Sequence, residues 1–199
     1  DIMRRFEALE EAEIQSLQTL DRDTGLMAEV AQWYGAAAAE HRLPRDGADS
    51  ESGRGPVESS ARDQVLALAL RPFLSRCAEV LQPRTELAIW SHPHCPLCGG
   101  EPELAVITPA ADRRLICGRC TLQWNFDPLT CPYCHNDDRS TISSFATPDG
   151  QYRVYACNVC KRYLKAFDAR RSTRPVMPMV DSVATLPLDA AAMQRGYQG

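Results

Sequence analysis

The chain has 199 residues, 44% of them apolar and 24% charged, the composition of a globular protein of one ordinary domain or two to three small ones. Its formal net charge of −4 sets no electrostatic requirement for a nucleic-acid partner. No apolar run approaches the roughly 18 to 20 residues that span a bilayer, and the opening Asp1-Ile2-Met3-Arg4-Arg5 has neither a signal-type apolar stretch nor an initiator Met, so a processed or truncated chain is expected.

Residues 1–90 read as an all-helical domain. Phe6, Leu9, Ile14, Leu17 and Leu20 recur at mostly helical intervals, as do Leu26, Val30, Trp33, Tyr34 and Ala37. Residues 46–60, rich in Gly, Ser, Asp and Glu, break the pattern and are expected to be a mobile loop. Helical spacing resumes through Leu66, Leu70, Phe73, Leu74, Cys77, Val80 and Leu81. Pro72 predicts a kink or a new helix start there, and Cys77 reads as a small buried apolar residue.

From residue 91 onward Cys, Gly, Pro and short alternating stretches take over, and an internal repeat appears. Cys95-Pro96-Leu97-Cys98 returns as Cys131-Pro132-Tyr133-Cys134, and Cys117-Gly118-Arg119-Cys120 as Cys157-Asn158-Val159-Cys160. Between the Cys pairs each copy predicts a strand-turn-strand. In the first, Glu103–Thr108 turns through Pro109–Asp112 into Arg113–Ile116. In the second, Thr141–Thr147 turns through Pro148-Asp149-Gly150 into Gln151–Ala156. A third strand follows each second pair, at Leu122–Phe126 and Tyr163–Phe167. Trp90, Trp124 and Tyr133 are the candidate covers for these small cores.

Eight of the nine cysteines fall in four Cys-x-x-Cys pairs, where chance gives roughly 0.4 such pairs. Two thiolates on one tight turn can share an ion, and two turns complete a tetrahedron. The repeat assigns Cys95, Cys98, Cys117 and Cys120 to one metal site and Cys131, Cys134, Cys157 and Cys160 to a second. Interleaved pairing and disulfides are the weaker alternatives. All-thiolate sets select iron or zinc, and a closed four-coordinate ion has no vacant corner for water or substrate. His92, His94 and His135 flank the knuckles and read as structural or surface groups, and His41 has no catalytic companion. No nucleotide-binding or hydrolase motif is found, so no catalytic residue is assigned. Lys161, Arg162, Lys165, Arg170, Arg171 and Arg174 form a basic run with Tyr163 and Phe167 interleaved, open to three readings: a solvated face, a protein-docking surface, or a nucleic-acid surface.

The segments CPLCGG, LICGRCTLQWNFDPLTCPYC, YACNVCKRYLKAFD and PMVDSVATLPLDAAAMQRGY resemble the formate dehydrogenase accessory protein FdhE family, closely from Cys95 onward and loosely before it. The resemblance implies an α+β chain: a helical domain (1–90), two tandem rubredoxin-like or zinc-ribbon-like small β domains (91–128 and 129–170), and a C-terminal tail or helix (171–199). It implies a cytoplasmic, non-catalytic maturation protein that binds the catalytic subunit of respiratory formate dehydrogenase, with iron in both Fe(Cys)4 sites and zinc as the alternative occupant. His135 departs from the glycine commoner after such a knuckle. A homodimer is allowed. The competing functions are a nucleic-acid-binding zinc ribbon and a one-electron carrier.

Overall fold

The computed structural model describes residues 11–18, 25, 27, 28, 30–32, 35 and 61–199. The expectations for Phe6, Leu9, Leu20, Leu26, Trp33, Tyr34, Ala37, His41 and the 46–60 loop lie outside those residues. Two compact units divide the chain, Asp1–Pro72 and Phe73–Gly199. The first contains helix α1 (Glu11–Gln18) and the opening of α2 (Ala61–Leu81).

Helix α2 does not stop at Pro72; it runs through it, leaving the carbonyl one turn earlier without its usual N–H donor. Leu66, in the first unit, is buried; in the second, Ala78 is buried and Leu74 packs beside it against that unit's core. Cys77 corrects the expectation of burial. It flanks Leu74 and Ala78 without facing the core and is exposed, as Phe73 is at 71%.

The second unit is built on one mixed sheet. Strands β1 (Pro102–Ile107), β2 (Arg113–Cys117) and β3 (Gln123–Phe126) come from the first repeat, and β4 (Ile142–Ala146), β5 (Tyr152–Cys157) and β6 (Tyr163–Asp168) from the second. These agree with the sequence expectation to within about a residue at most ends. The order across the sheet is β3-β2-β1-β6-β5-β4. Each repeat is an antiparallel meander, and the two join through the parallel pair β1/β6, with Leu104 opposite Lys165 and Ile107 opposite Asp168. The repeats therefore share a single continuous sheet. Because β1 and β6 lie at its centre, β6 is buried along its whole length and β1 almost so.

Alternation along the strands gives two apolar faces. The first carries Ala105, Ile107, Leu115, Trp124, Phe126, Leu164 and Ala166, with Leu74 and Ala78 of α2, Leu87 and Trp90 packed against it. The second carries Leu104, Val106, Ile116, Tyr152, Val154 and Phe167. It is covered by helices α3 (Pro178–Ala184) and α4 (Leu186–Gln194); Leu188 and Ala192 of α4 pack onto it. Asp181 of α3, fully buried, accepts hydrogen bonds from the Tyr152 hydroxyl (2.7 Å), the Met177 amide (2.6 Å) and the Arg174 guanidinium. Asp189 of α4 accepts from Lys165 and the Tyr163 hydroxyl, both at 2.7 Å. No helix among the described residues is long and apolar enough to cross a membrane.

Candidate metal centres

Four copies of one backbone turn present the cysteines. In each, the amide of the first cysteine donates to the carbonyl five residues on, and its carbonyl accepts from the amide four residues on. The pairs are Cys95 with Gly100 and Gly99, Cys117 with Leu122 and Thr121, Cys131 with Asn136 and His135, and Cys157 with Arg162 and Lys161, all between 2.8 and 3.1 Å. The turn closes by placing its fifth residue in the left-handed region: φ is 68° at Gly99, 59° at Thr121, 59° at His135 and 61° at Lys161. Only the first knuckle uses glycine there. His135 thus makes the same turn as Gly99 at the cost of an unfavourable backbone region, about 1–2 kcal/mol.

The turns bring the sulfurs into two sets. Those of Cys95, Cys98, Cys117 and Cys120 all lie within 4.8 Å of one another, as do those of Cys131, Cys134, Cys157 and Cys160. Individual separations are 3.4 Å for Cys98–Cys117, 3.5 Å for Cys95–Cys120 and Cys98–Cys120, 3.8 Å for Cys131–Cys160 and 3.7 Å for Cys134–Cys157. A disulfide needs about 2.05 Å, so none of these is a cystine. Four thiolates about 2.3 Å from a shared ion at tetrahedral angles stand about 3.8 Å apart. Both sets have those dimensions, so both could hold one metal ion.

The electrostatics point the same way. In the first set hydrogen bonds from Cys120, Cys95 and Cys98 hold the Cys117 thiol well below its ordinary pKa, and the Arg119 amide adds a contact to that sulfur at 3.3 Å. Cys95 is pushed far up, first by its bond to Cys117, and Cys120 is pushed up as well. In the second set burial pushes Cys131 up to about 11 and also raises Cys160. Burial acts against Cys157 too, but the Cys160 and Val159 amides hold its thiol below the usual value. Thiols this close cannot all ionise unaided, and a cation at the centre of each set removes the conflict.

The two sets differ in exposure. All four cysteines of the first are buried, whereas Cys134 and Cys160 of the second are half-exposed. Sequence spacing carries no trace of this difference; it comes from α2 and the 87–90 segment packing over the first repeat.

None of the three flanking histidines belongs to either set. The His92 and His94 carbonyls each accept an indole N–H at 2.9 Å, from Trp124 and Trp90 respectively. The basic run is largely neutralised within the chain. Arg162 pairs with Glu101, Lys165 with Asp189, Arg170 with Asp168 and Arg174 with Asp181. Sequence reading missed the buried acids Asp168 and Asp181; their signal was the density of arginine around residues 170–174.

No family model matches the chain. Among curated proteins it is similar to the FdhE homolog of Shewanella oneidensis, 34% identical over 107 residues that make up 52% of this chain and 35% of that protein. The FdhE homolog of Haemophilus ducreyi is 29% identical over 133 residues, 65% of this chain and 43% of that protein. The FdhE protein of Escherichia coli is 27% identical over 107 residues, 52% of this chain and 34% of that protein. The chain thus spans between about a third and under a half of the length of these relatives. Among solved structures it shares the fold of the FdhE protein from Pseudomonas aeruginosa, with a TM-score of 0.61 at 19% identity over 96% of this chain and 77% of that one.

Proposed function

We propose that the chain is a member of the FdhE family, which its likeness to curated FdhE homologs supports, and that it is a metal-binding accessory protein that binds the catalytic subunit of respiratory formate dehydrogenase during its maturation in the cytoplasm. It works as a docking platform and carries out no catalysis of its own. Cys95, Cys98, Cys117 and Cys120 hold one ion and Cys131, Cys134, Cys157 and Cys160 the other, iron in preference to zinc. In the same reading residues 1–90 are a helical domain, 91–128 and 129–170 two rubredoxin-like ribbons fused edge to edge, and 171–199 a helical closing segment.

The observation that carries this reading is the pair of four-sulfur sets, each formed by cysteine alone, beside one sheet. Each ion would be enclosed by cysteine alone, so it would supply shape and charge and no vacant corner for substrate. Two ions joined to one sheet would make that platform rigid, since a ribbon of ~40 residues cannot bury enough apolar surface by itself.

The test is capture of the formate dehydrogenase catalytic subunit by the metal-loaded chain, with Cys98→Ser and Cys134→Ser as variants. The reading expects capture by the native chain and its loss in folded variants; failure of the native chain to capture the subunit ends it. Elemental analysis with an absorption spectrum separates iron from zinc. A second reading, one-electron transfer, draws support from the half-exposed Cys134 and Cys160, which would give electrons a short path to the second ion. It requires a thiolate-to-iron absorption that bleaches on reduction. Nucleic-acid binding finds less support, because four of the six cations in the basic run already face carboxylates.

A further inference from the structure

The two repeats are not filled alike. In the first, Trp124 of β3 stands opposite Leu115 of β2, and its indole crosses the first face of the sheet to donate to the His92 carbonyl at 2.9 Å. The second repeat has the same register, with Leu164 opposite Tyr155. The 40-residue offset of the second Cys pairs places Leu164 where Trp124 stands and Ala166 where Phe126 stands. The 36-residue offset of the first pairs places Pro128 where His92 stands. The second repeat thus lacks the indole that fills the first.

A cavity of about 170 Å³ remains there. Leu164 and Pro128 border it at the positions that the indole of the first repeat connects, and Leu129, Ile142, Tyr133 and Tyr155 complete an apolar wall. For scale, a dry cavity of about 150 Å³ lined by apolar side chains accepts benzene. This one has room for a single aromatic ring.

Arg113, Arg139 and Arg162 line the cavity; among the described residues no Asp or Glu does, and Cys131 and Cys157 of the second sulfur set stand at its edge. Arg162 is answered by Glu101. Arg139 has no ion-pair partner among the described residues. Arg113 is 4% exposed; its guanidinium donates to the backbone carbonyls of Asp127 and Thr130, and its Nε has no hydrogen-bond partner. A buried guanidinium bonded only to neutral oxygens favours an anion beside it.

We propose that this cavity binds a small aromatic carboxylate, its ring in the space that Trp124 fills in the first repeat and its carboxylate held by Arg113 and Arg139. The acid is either a free molecule or the C-terminal residue of a peptide; both present an apolar ring and a carboxylate. The inference stands on the cavity alone and does not depend on what the chain docks to.

The probes are phenylacetate, phenylacetamide, N-acetylphenylalanine and inorganic phosphate, titrated by calorimetry and ligand-observed NMR against the metal-loaded full chain. Phenylacetate is expected to bind at least tenfold more tightly than phenylacetamide. Leu164→Trp, which restores the indole of the first repeat, is expected to weaken phenylacetate at least tenfold while the melting temperature holds. Arg139→Gln is expected to weaken it severalfold. Arg139 is exposed and keeps the test open should Leu164→Trp fail to fold. Tighter binding of N-acetylphenylalanine than of phenylacetate assigns the site to a chain terminus, and weaker binding assigns it to a free acid. If acid and amide bind alike, the arginines serve only to offset the thiolates of Cys131 and Cys157 at the cavity edge, and the proposal fails. It fails equally if phosphate displaces phenylacetate at equal concentration, or if folded Leu164→Trp binds as well as the native chain.

Discussion

Replacing Asp181 with Ala removes the acceptor that ties the C-terminal helices to the second face of the sheet. Three donors converge on it, the Tyr152 hydroxyl, the Met177 amide and the Arg174 guanidinium, and the carboxylate is fully buried. Hydrogen bonds to a charged group contribute about 1.5–3 kcal/mol each, and breaking a buried ion pair costs about 3–5 kcal/mol. The Arg174 side chain is 35% exposed and regains water when released, so the expected loss falls at the lower end, about 3 kcal/mol. For a domain of this size that lowers the melting temperature by about 10 °C. Tyr152→Phe removes only the hydroxyl and is expected to cost about 1 kcal/mol. Hydrogen exchange should show residues 178–194 opening in Asp181→Ala while the strands stay protected. The same carboxylate gives a pH dependence. Burial alone would raise its pKa, but Arg174, Tyr152 and Met177 overcome that and lower it. A lowered folded-state value means the contribution is complete above the unfolded value near 4 and fades as pH falls through the folded one. The helices should therefore loosen first on acidification below pH ~4, and this acid step should vanish in Asp181→Ala. A melting temperature for Asp181→Ala within about 2 °C of the native chain at neutral pH would refute the reasoning.

Metal removal should proceed in two stages. A chelator followed by absorption and elemental analysis is expected to strip the set containing half-exposed Cys134 and Cys160 before the buried one, and loss of both ions should abolish cooperative melting of the second unit. His135→Gly relieves a left-handed backbone without touching a cysteine, and after the added freedom of the unfolded chain is subtracted it should stabilise the metal-loaded chain by about 0.5–1 kcal/mol in thermal unfolding. Arg162 bonds both Glu101 carboxylate oxygens, at 2.9 and 2.7 Å, and lies 3.7 Å over the Tyr133 ring. Arg162→Ala should cost about 1–2 kcal/mol by denaturant titration, and Arg162→Lys should recover little of it, because an ammonium neither forks nor stacks in this way. Trp124→Ala removes a side chain that is 1% exposed, and a loss of about 3–5 kcal/mol is expected by the same titration.

Much of the second unit was legible because its signals are local. Four Cys pairs, Pro148-Asp149-Gly150 and short alternating runs mark turns and strands whose partners lie a few residues away, and the six strands fall where those signals put them. The joining of the repeats into one sheet was not read, because β1 and β6 meet across some 60 residues of chain. The unbroken apolar run Leu104-Ala105-Val106-Ile107 held the clue, since a strand buried on both faces need not alternate. Cys77 was misplaced for a related reason. Phe73, Leu74 and Cys77 all fit helical spacing, and only the three-dimensional packing selects Leu74 and Ala78. The unequal exposure of the two sulfur sets depends on what covers each repeat, which knuckle spacing does not encode.

The parallel seam has a consequence for how such a molecule can grow. A two-fold duplication would pair like strands at the centre and leave matched rims. Here the first strand of one copy meets the third strand of the next, so the copies are related by translation and the outer rims, β3 and β4, remain unlike. Those rims are the same two kinds of strand that already pair at the centre. The architecture is therefore open-ended in kind: a third unit of about 40 residues appended in register would meet a rim that the existing join has already solved.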